Sequence, residues 1–238
     1  MAPKSFREAL SDSALRDMRI GETEDAGAED SAPVSPEGGH RKALEFAGVP
    51  ERVLREMFRA GQQGPFRPDT TEPSKELARR IFRGESLYVW GPRGCGKSHV
   101  AACGLLGMRM TRAIGWSEHA WSEWVLTLDA LREEVRSDSD ESRMRDLCAA
   151  KVLVLDDIGP TCRPTPFAID ALRIVVTRRY NDCLQTIVTA NLAPDALDAS
   201  MRAAGFDAGI VEPLVSRLVG GADGGVIHLE GPDRRVSQ

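Results

Sequence analysis

Apolar residues follow two rhythms along this chain. Short runs rich in β-branched and aromatic side chains, Leu87-Tyr88-Val89-Trp90, Trp124 to Leu128, Val152 to Leu155, Thr186 to Thr189 and Val226 to Leu229, predict strands. The run at Val152 to Leu155 is apolar at every position, the pattern of a strand buried on both faces. Between the runs, helical spacing covers Glu76 to Phe82, Lys97 to Met110, Asp129 to Arg136, Met144 to Ala149 and Pro194 to Ala204, the last closed by Gly205. Thr165-Pro166 opens a further helix with a capping hydroxyl and a first-turn proline, and Phe167, Ala168, Ala171, Leu172, Val175 and Val176 form its apolar face. Alternation of this kind predicts an α/β fold, a mostly parallel five-stranded sheet flanked by helices on both faces.

The region ahead of this alternation has a different texture. Residues 5 to 19 allow a short helix, whereas Gly21 to Gly39 is rich in Glu, Asp, Ala, Ser, Pro and Gly and reads as a flexible acidic linker. From His40 to Ala60, Leu44, Phe46, Val49, Val53, Leu54, Met57 and Phe58 recur around breaks at Gly48 and Pro50, which suits two short helices. Gly61 to Pro73 is loop-like. The expected organisation is an acidic, largely flexible segment over 1–40, a short helical adaptor over 41–75 and the α/β domain over 76–238.

Charge sharpens this division. The formal net charge is −5, and residues 1 to 40 carry Lys4, Arg7, Arg16 and Arg19 against nine Asp and Glu, leaving 27 charges of each sign in the remainder. A balanced body without a long basic block argues against binding duplex DNA by charge alone. The five cysteines show no C-x-x-C pairing, and their odd number suits free cytosolic thiols better than a disulfide framework. No apolar run approaches a membrane span or a signal-peptide core, so a cytoplasmic protein without a membrane partner is expected.

The strand at Leu87 to Trp90 leads directly into Gly91-Pro92-Arg93-Gly94-Cys95-Gly96-Lys97-Ser98, which fits the pattern G-x-x-x-x-G-K-[ST]. Glycines at these positions let consecutive backbone amides turn toward a polyphosphate, Lys97 reaches the outer phosphates, and the Ser98 hydroxyl is a magnesium ligand. The helix that follows adds the positive end of its dipole. Gly91 through His99 are therefore the candidate nucleotide-binding residues, with ATP or GTP as the ligand. His99 has no partner at metal-ligand spacing and is read as structural toward a metal.

Some 60 positions after that loop, the apolar run 152–155 ends in Asp156-Asp157. Parallel strands present their carboxyl ends along one rim, so both acids are expected to face the triphosphate. Asp156 suits magnesium, directly or through water, and Asp157 is placed to orient or deprotonate the attacking water. A third strand ends in Thr189-Ala190-Asn191, where Asn191 is a candidate to contact the γ-phosphate or the lytic water; Asn-Leu-Ala-Pro is also an ordinary turn sequence.

The order of lysine loop, Asp-Asp strand, Thr-x-Asn strand and Val215-Ser216-Arg217-Leu218 resembles the AAA+ ATPases of the DnaC/IstB-like family, bacterial helicase loaders and insertion-sequence helper proteins. The resemblance runs from about Ala47 to Arg235 and includes Ala47 to Arg52, Leu155 to Gly159, Thr189 to Leu192 and Gly231 to Arg235. It implies a P-loop AAA+ domain, ATP with Mg2+, and an arginine, Arg217, acting in trans on a neighbouring subunit's γ-phosphate. It also implies self-association, a replicative helicase or a transposase as partner, and single-stranded DNA as a further ligand to consider. Aspartate at 157, where many AAA+ proteins carry glutamate, implies slow hydrolysis. Too little chain follows Arg217 for a separate C-terminal helical lid, which leaves Arg234 and Arg235 as weak candidates for a phosphate sensor.

Other clusters point elsewhere. Trp116, Trp121, Trp124 and His119 suggest a base-stacking surface but fit packing beside an edge strand better. Arg132, Arg136, Arg143 and Arg145 are interleaved with Glu133, Glu134, Asp138, Asp140 and Glu141, the pattern of a solvated mixed-charge face. The expected function is a slowly hydrolysing, oligomeric ATP switch in DNA replication, a helicase loader ahead of a transposition helper. A small-molecule kinase and a non-hydrolysing ATP-binding module are the readings from other classes.

Overall fold

Five parallel strands in the order β2-β3-β4-β1-β5 form the sheet of the computed structural model. The structure describes residues 41–42, 44–45, 47–58, 72–110, 119–123, 140–159, 166–219 and 225–233. In chain order the elements are α1 (Glu51–Met57), α2 (Glu72–Phe82), β1 (Leu87–Trp90), α3 (Lys97–Met110), β2 (His119–Glu123), α4 (Asp140–Ala149), β3 (Val152–Ile158), α5 (Pro166–Asn181), β4 (Gln185–Ala190), α6 (Pro194–Ala203), α7 (Ala208–Leu218) and β5 (Gly225–His228).

Side chains alternate along each strand and so divide the interior into two cores. Leu87, Val89, Val152, Val154 and Ile187 pack with Val53, Leu54 and Met57 of α1, Leu77 and Ile81 of α2, and Val100, Leu105 and Leu106 of α3. Tyr88, Leu153, Leu155, Val188 and Ala190 turn the other way, onto Leu147, Ile169, Leu172, Val176, Leu197, Val211 and Leu214 of α4 to α7. Residues 44 to 57 are thus part of the same core as the sheet.

Some expectations shift by several residues or disappear from view. The strand placed at Trp124 to Leu128 is preceded by the observed β2 at His119–Glu123, which takes Trp121 into the strand opposite Val154. Residues 124–128, the helix expected over 129–136, Trp116, Arg132, Thr165, Arg234, Arg235 and the segment 1–40 lie outside the described residues. Helix α7 was not anticipated as an element. It is capped by Asp207, whose side chain accepts from the Gly209 amide at 2.7 Å, and buries Val211, Leu214, Val215 and Leu218 at helical spacing. Among the described residues, β5 is the sole element after α7.

One buried cation stitches the sheet to its helices. Arg179, at 0% exposure, donates to the carbonyls of Leu147 (2.9 Å), Ala150 (2.6 Å) and Gln185 (2.6 Å) and to Thr186 Oγ1 (2.9 Å). Burial pulls its guanidinium down to about 10, which still leaves it charged at neutral pH.

Candidate active site

Adjacent strands β1 and β4 send their following helices to opposite faces of the sheet, α3 to one core and α6 to the other. That divergence opens a crevice at the carboxyl rim of the sheet. The turn between β1 and α3 occupies it. Gly94 and Gly96 have φ of +76° and +100°, backbone conformations that side chains with a Cβ rarely adopt. Space is short as well. A Cβ on Gly91 would strike the Leu229 carbonyl, and one on Gly94 would strike the side chain of Asp233, so the segment after β5 lies directly against this turn.

The Lys97 ammonium is 8% exposed and is held by the turn itself, donating to the carbonyls of Gly91 (2.9 Å) and Pro92 (2.8 Å). It also donates to Asn191 Oδ1 at 3.1 Å. Ser98 Oγ donates to Asp156 Oδ1 at 2.7 Å, across 58 positions of sequence. Arg93 is exposed, Cys95 is buried with its sulfur 3.9 Å from Lys97 Nζ, and His99 Nδ1 lies 3.8 Å from Glu56 of α1.

The paired acids reach one rim by an irregularity in β3. Strict alternation would send Asp156 and Asp157 to opposite faces, because Val152 and Val154 face one core and Leu153 and Leu155 the other. The pairing of β3 with β4 instead shifts register between Leu155 and Ile158, and Asp157 adopts a left-handed backbone with φ +59°. The extra residue of this bulge lets Ile158 return to the core while both carboxylates stay at the strand end. A left-handed aspartate stores strain and persists only where its surroundings hold it.

Thr189 and Asn191 hold it. Thr189 Oγ1 accepts from the Asp157 amide at 2.9 Å and donates to Asp156 Oδ1. Asn191 Nδ2 donates to Asp157 Oδ1 at 2.7 Å. Tyr88 supports the same turn from below, donating to the Leu192 carbonyl at 2.8 Å; burial keeps its phenol far above the ordinary range and therefore a donor. Thr189, Tyr88 and Arg52, whose Nη2 lies 3.3 Å from Asp156 Oδ2, join the site without having been singled out for it in the sequence. Thr189 alone had a signal there, sharing the strand face of Ile187 and standing two residues before Asn191.

Lys97, Ser98, Asp156, Asp157 and Asn191 thus form one hydrogen-bonded cluster. Solved structures with this architecture include the DnaC helicase loader, at a TM-score of 0.58 and 18% identity over 76% of this chain and 100% of that one. DnaI matches at a TM-score of 0.56 and 18% identity over 80% and 100%. The replication initiator DnaA bound to AMPPCP and single-stranded DNA matches at 0.54 and 15% identity over 77% and 51%. The fold is that of an AAA+ P-loop domain. No protein-family model and no curated protein matches the sequence.

Within the domain Arg217 stands apart from the cluster. Its Nη1 donates to the Pro213 carbonyl at 3.2 Å and its guanidinium lies 5.9 Å from the centre of the Tyr180 ring, half-exposed Tyr180 belonging to α5. Ser98 and Asp156 present only oxygen donors, a set that fits a hard divalent cation such as magnesium. Among the described residues no helix is long and apolar enough to cross a membrane.

Proposed function

We propose that this chain is an ATP-binding, slowly hydrolysing ATPase that works as an oligomeric nucleotide switch in DNA replication, loading a replicative helicase. The observation that carries the reading is the cluster in which Asn191 bridges Lys97 and Asp157 while Ser98 and Asp156 stand side by side. Backbone amides between Arg93 and His99 would receive the phosphates, and Lys97 would exchange its own-loop carbonyls for phosphate oxygens. Ser98 and Asp156 would hold Mg2+, which would offset the charge of the phosphates. With Oδ1 bound by Asn191, Asp157 keeps Oδ2 for the proton of the attacking water.

The full overlap with the DnaC helicase loader and DnaI supports the replication role. Arg217 lies half-buried on α7 against Tyr180 and apart from the cluster, a placement that supports service to a second copy rather than to its own site. The domain plan proposed with it is residues 1–40 as an acidic segment, 41–75 as an adaptor whose α1 packs into the core of the sheet, and 76–238 as the ATPase.

Lys97→Ala and Asp157→Asn test the assignment together. The first is expected to lose ATP binding. The second is expected to bind ATP and to release phosphate about a hundredfold or more slowly, the scale of a lost general base. Normal turnover by both variants refutes the site. Proteins captured from native cells on the ATP-trapped Asp157→Asn form are expected to include a replicative helicase, and a transposase instead would assign the chain to transposition.

A further inference from the structure

Asp156 is 0% exposed, and its two oxygens are used differently. Oδ1 accepts from Ser98 and Thr189, both neutral hydroxyls of the domain core. Oδ2 faces Arg52, which reaches it at 3.3 Å from α1, 104 positions earlier in the chain. A buried carboxylate needs a cation, and here an arginine from outside the phosphate turn supplies it. That arginine is itself 49% exposed, so its head group meets water as soon as it leaves the carboxylate. One helical turn later Glu56 lies 3.8 Å from His99 Nδ1 at the start of α3. The Arg52–Asp156 ion pair and the approach of Glu56 to His99 therefore both link α1 to the site, while Val53, Leu54 and Met57 bury its apolar side.

We propose that Arg52 holds the metal's place on Asp156, and that arrival of a divalent cation with nucleotide displaces it and loosens α1. The inference rests on the nucleotide reading above and adds a means by which the site reports its occupancy to the residues before it. The competition follows from charge: a guanidinium and a divalent cation directed at one carboxylate repel each other, and the doubly charged ion is favoured. The signal has a path out of the site. Glu51, next to Arg52, is gripped by Arg41 at 2.6 and 2.9 Å and by Arg55 at 2.9 Å, so motion of α1 is shared with the residues that precede it.

Amide hydrogen exchange on the full chain tests this, with ADP as the probe in the presence of Mg2+ or of a chelator. Mg2+ with ADP is expected to speed exchange at Leu54 and Phe58, whose amides bond to Pro50 and Leu54, by about threefold or more while slowing it over 97–101. ADP with chelator should leave α1 unchanged. Arg52→Gln is expected to show the faster α1 exchange without any ligand and to need about threefold less Mg2+ for half-maximal effect on ADP affinity. Arg52→Lys should behave as the parent chain.

Unchanged or slower α1 exchange with Mg2+ and ADP overturns the proposal, and this comparison within the unaltered chain stands even if Arg52→Gln fails to fold. Weaker ADP binding by Arg52→Gln in chelator would make Arg52 a phosphate ligand and also overturn it. If the unaltered chain binds no ADP, the nucleotide reading itself fails and the proposal falls with it. Binding without an α1 response sinks the proposal alone.

Discussion

Asn191 donates its amide to Asp157 at 2.7 Å, and the carbonyl of the same side chain accepts from Lys97 at 3.1 Å. One planar group thus sets the distance between the Lys97 ammonium and the Asp157 carboxylate. Asn191→Ala is expected to lower ATP turnover by about tenfold or more while changing nucleotide affinity by only a few-fold, because the positioning matters in the transition state. Steady-state phosphate release and ADP titration separate the two quantities. Equal losses in both would make Asn191 a binding residue.

Thr189 touches both acids, donating to Asp156 and accepting from the Asp157 amide. Thr189→Val keeps the volume and removes both hydrogen bonds, leaving a buried carboxylate and a strained amide less satisfied. Stability is expected to fall by about 1–3 kcal/mol, the cost of orphaned buried polar groups. Thr189→Ser should recover most of it, and denaturant melts of the three chains provide the measure. A neutral Thr189→Val would mean that the bulge at Asp157 needs no such support.

The contrast between Ser98 and Thr189 explains how much of this site can be read before the fold is known. The turn from Gly91 to Ser98 carries its chemistry in consecutive residues, since backbone amides and left-handed glycines at fixed spacing suffice. Asp156-Asp157 was legible for the same reason: an apolar strand ending in acids has few other uses. That the pair reaches one rim through a bulge was not legible, because alternation alone predicts the reverse. Arg52 and Tyr88 act on residues 104 positions away, and no local pattern announces a partner at that distance. Arg179 was hidden by its type, since arginines are seldom fully buried, and here the carbonyls of two elements make the burial tolerable. The strand at 119–123 was not anticipated because its short segment His119-Ala120-Trp121-Ser122-Glu123 is more polar than the Trp124 to Leu128 run that follows.

Arg179 invites a test of stability alone. Arg179→Met fills similar space but leaves the carbonyls of Leu147, Ala150 and Gln185 without this donor. Thermal unfolding is expected to show a loss of at least about 2 kcal/mol, with nucleotide affinity unaltered in the fraction that stays folded. The sign with pH is fixed by the depressed guanidinium. Its folded value of about 10 lies below the free one, so the penalty of burying the charge is fully present below 10 and is relieved as pH rises through it. The stability difference between the parent chain and Arg179→Met should therefore stay flat from pH 6 to 9 in urea melts.

Gly94 combines a φ of +76° with an Asp233 side chain packed against its Cα. Gly94→Ala meets both obstacles at once, the strained backbone and the collision. ADP affinity is expected to drop by about tenfold or more, since the turn must open to admit the methyl group. Combining it with Asp233→Gly removes the side-chain collision but leaves the Cα of residue 233 at 2.8 Å and the backbone strain, so recovery should be partial. Complete recovery in titrations with ADP would show that crowding by the segment after β5, rather than backbone conformation, shapes this turn.

In the proposed function, Arg217 is the residue whose role depends on a second copy. In its own chain it bonds to Pro213 and lies over Tyr180, while the hydrogen-bonded cluster around Lys97 and Asp157 closes without it. Arg217→Ala should therefore leave ADP binding intact and lower turnover only under conditions where the chain associates. Asp157→Asn subunits are inactive for the opposite reason, keeping the arginine and lacking the carboxylate. When the two variants are mixed in equal amounts, a site built from the Asp157 of one and the Arg217 of the other is whole. Random assembly makes about a quarter of the sites of this kind, so phosphate release should recover toward about a quarter of the parent rate. An arginine acting within its own chain predicts no recovery at any ratio, because every subunit then lacks one of the two groups. Tyr180→Ala gives an independent handle, since it frees the guanidinium from the ring without touching the phosphate turn. It should alter turnover only in the associated state, and an effect on isolated subunits would place Arg217 in cis.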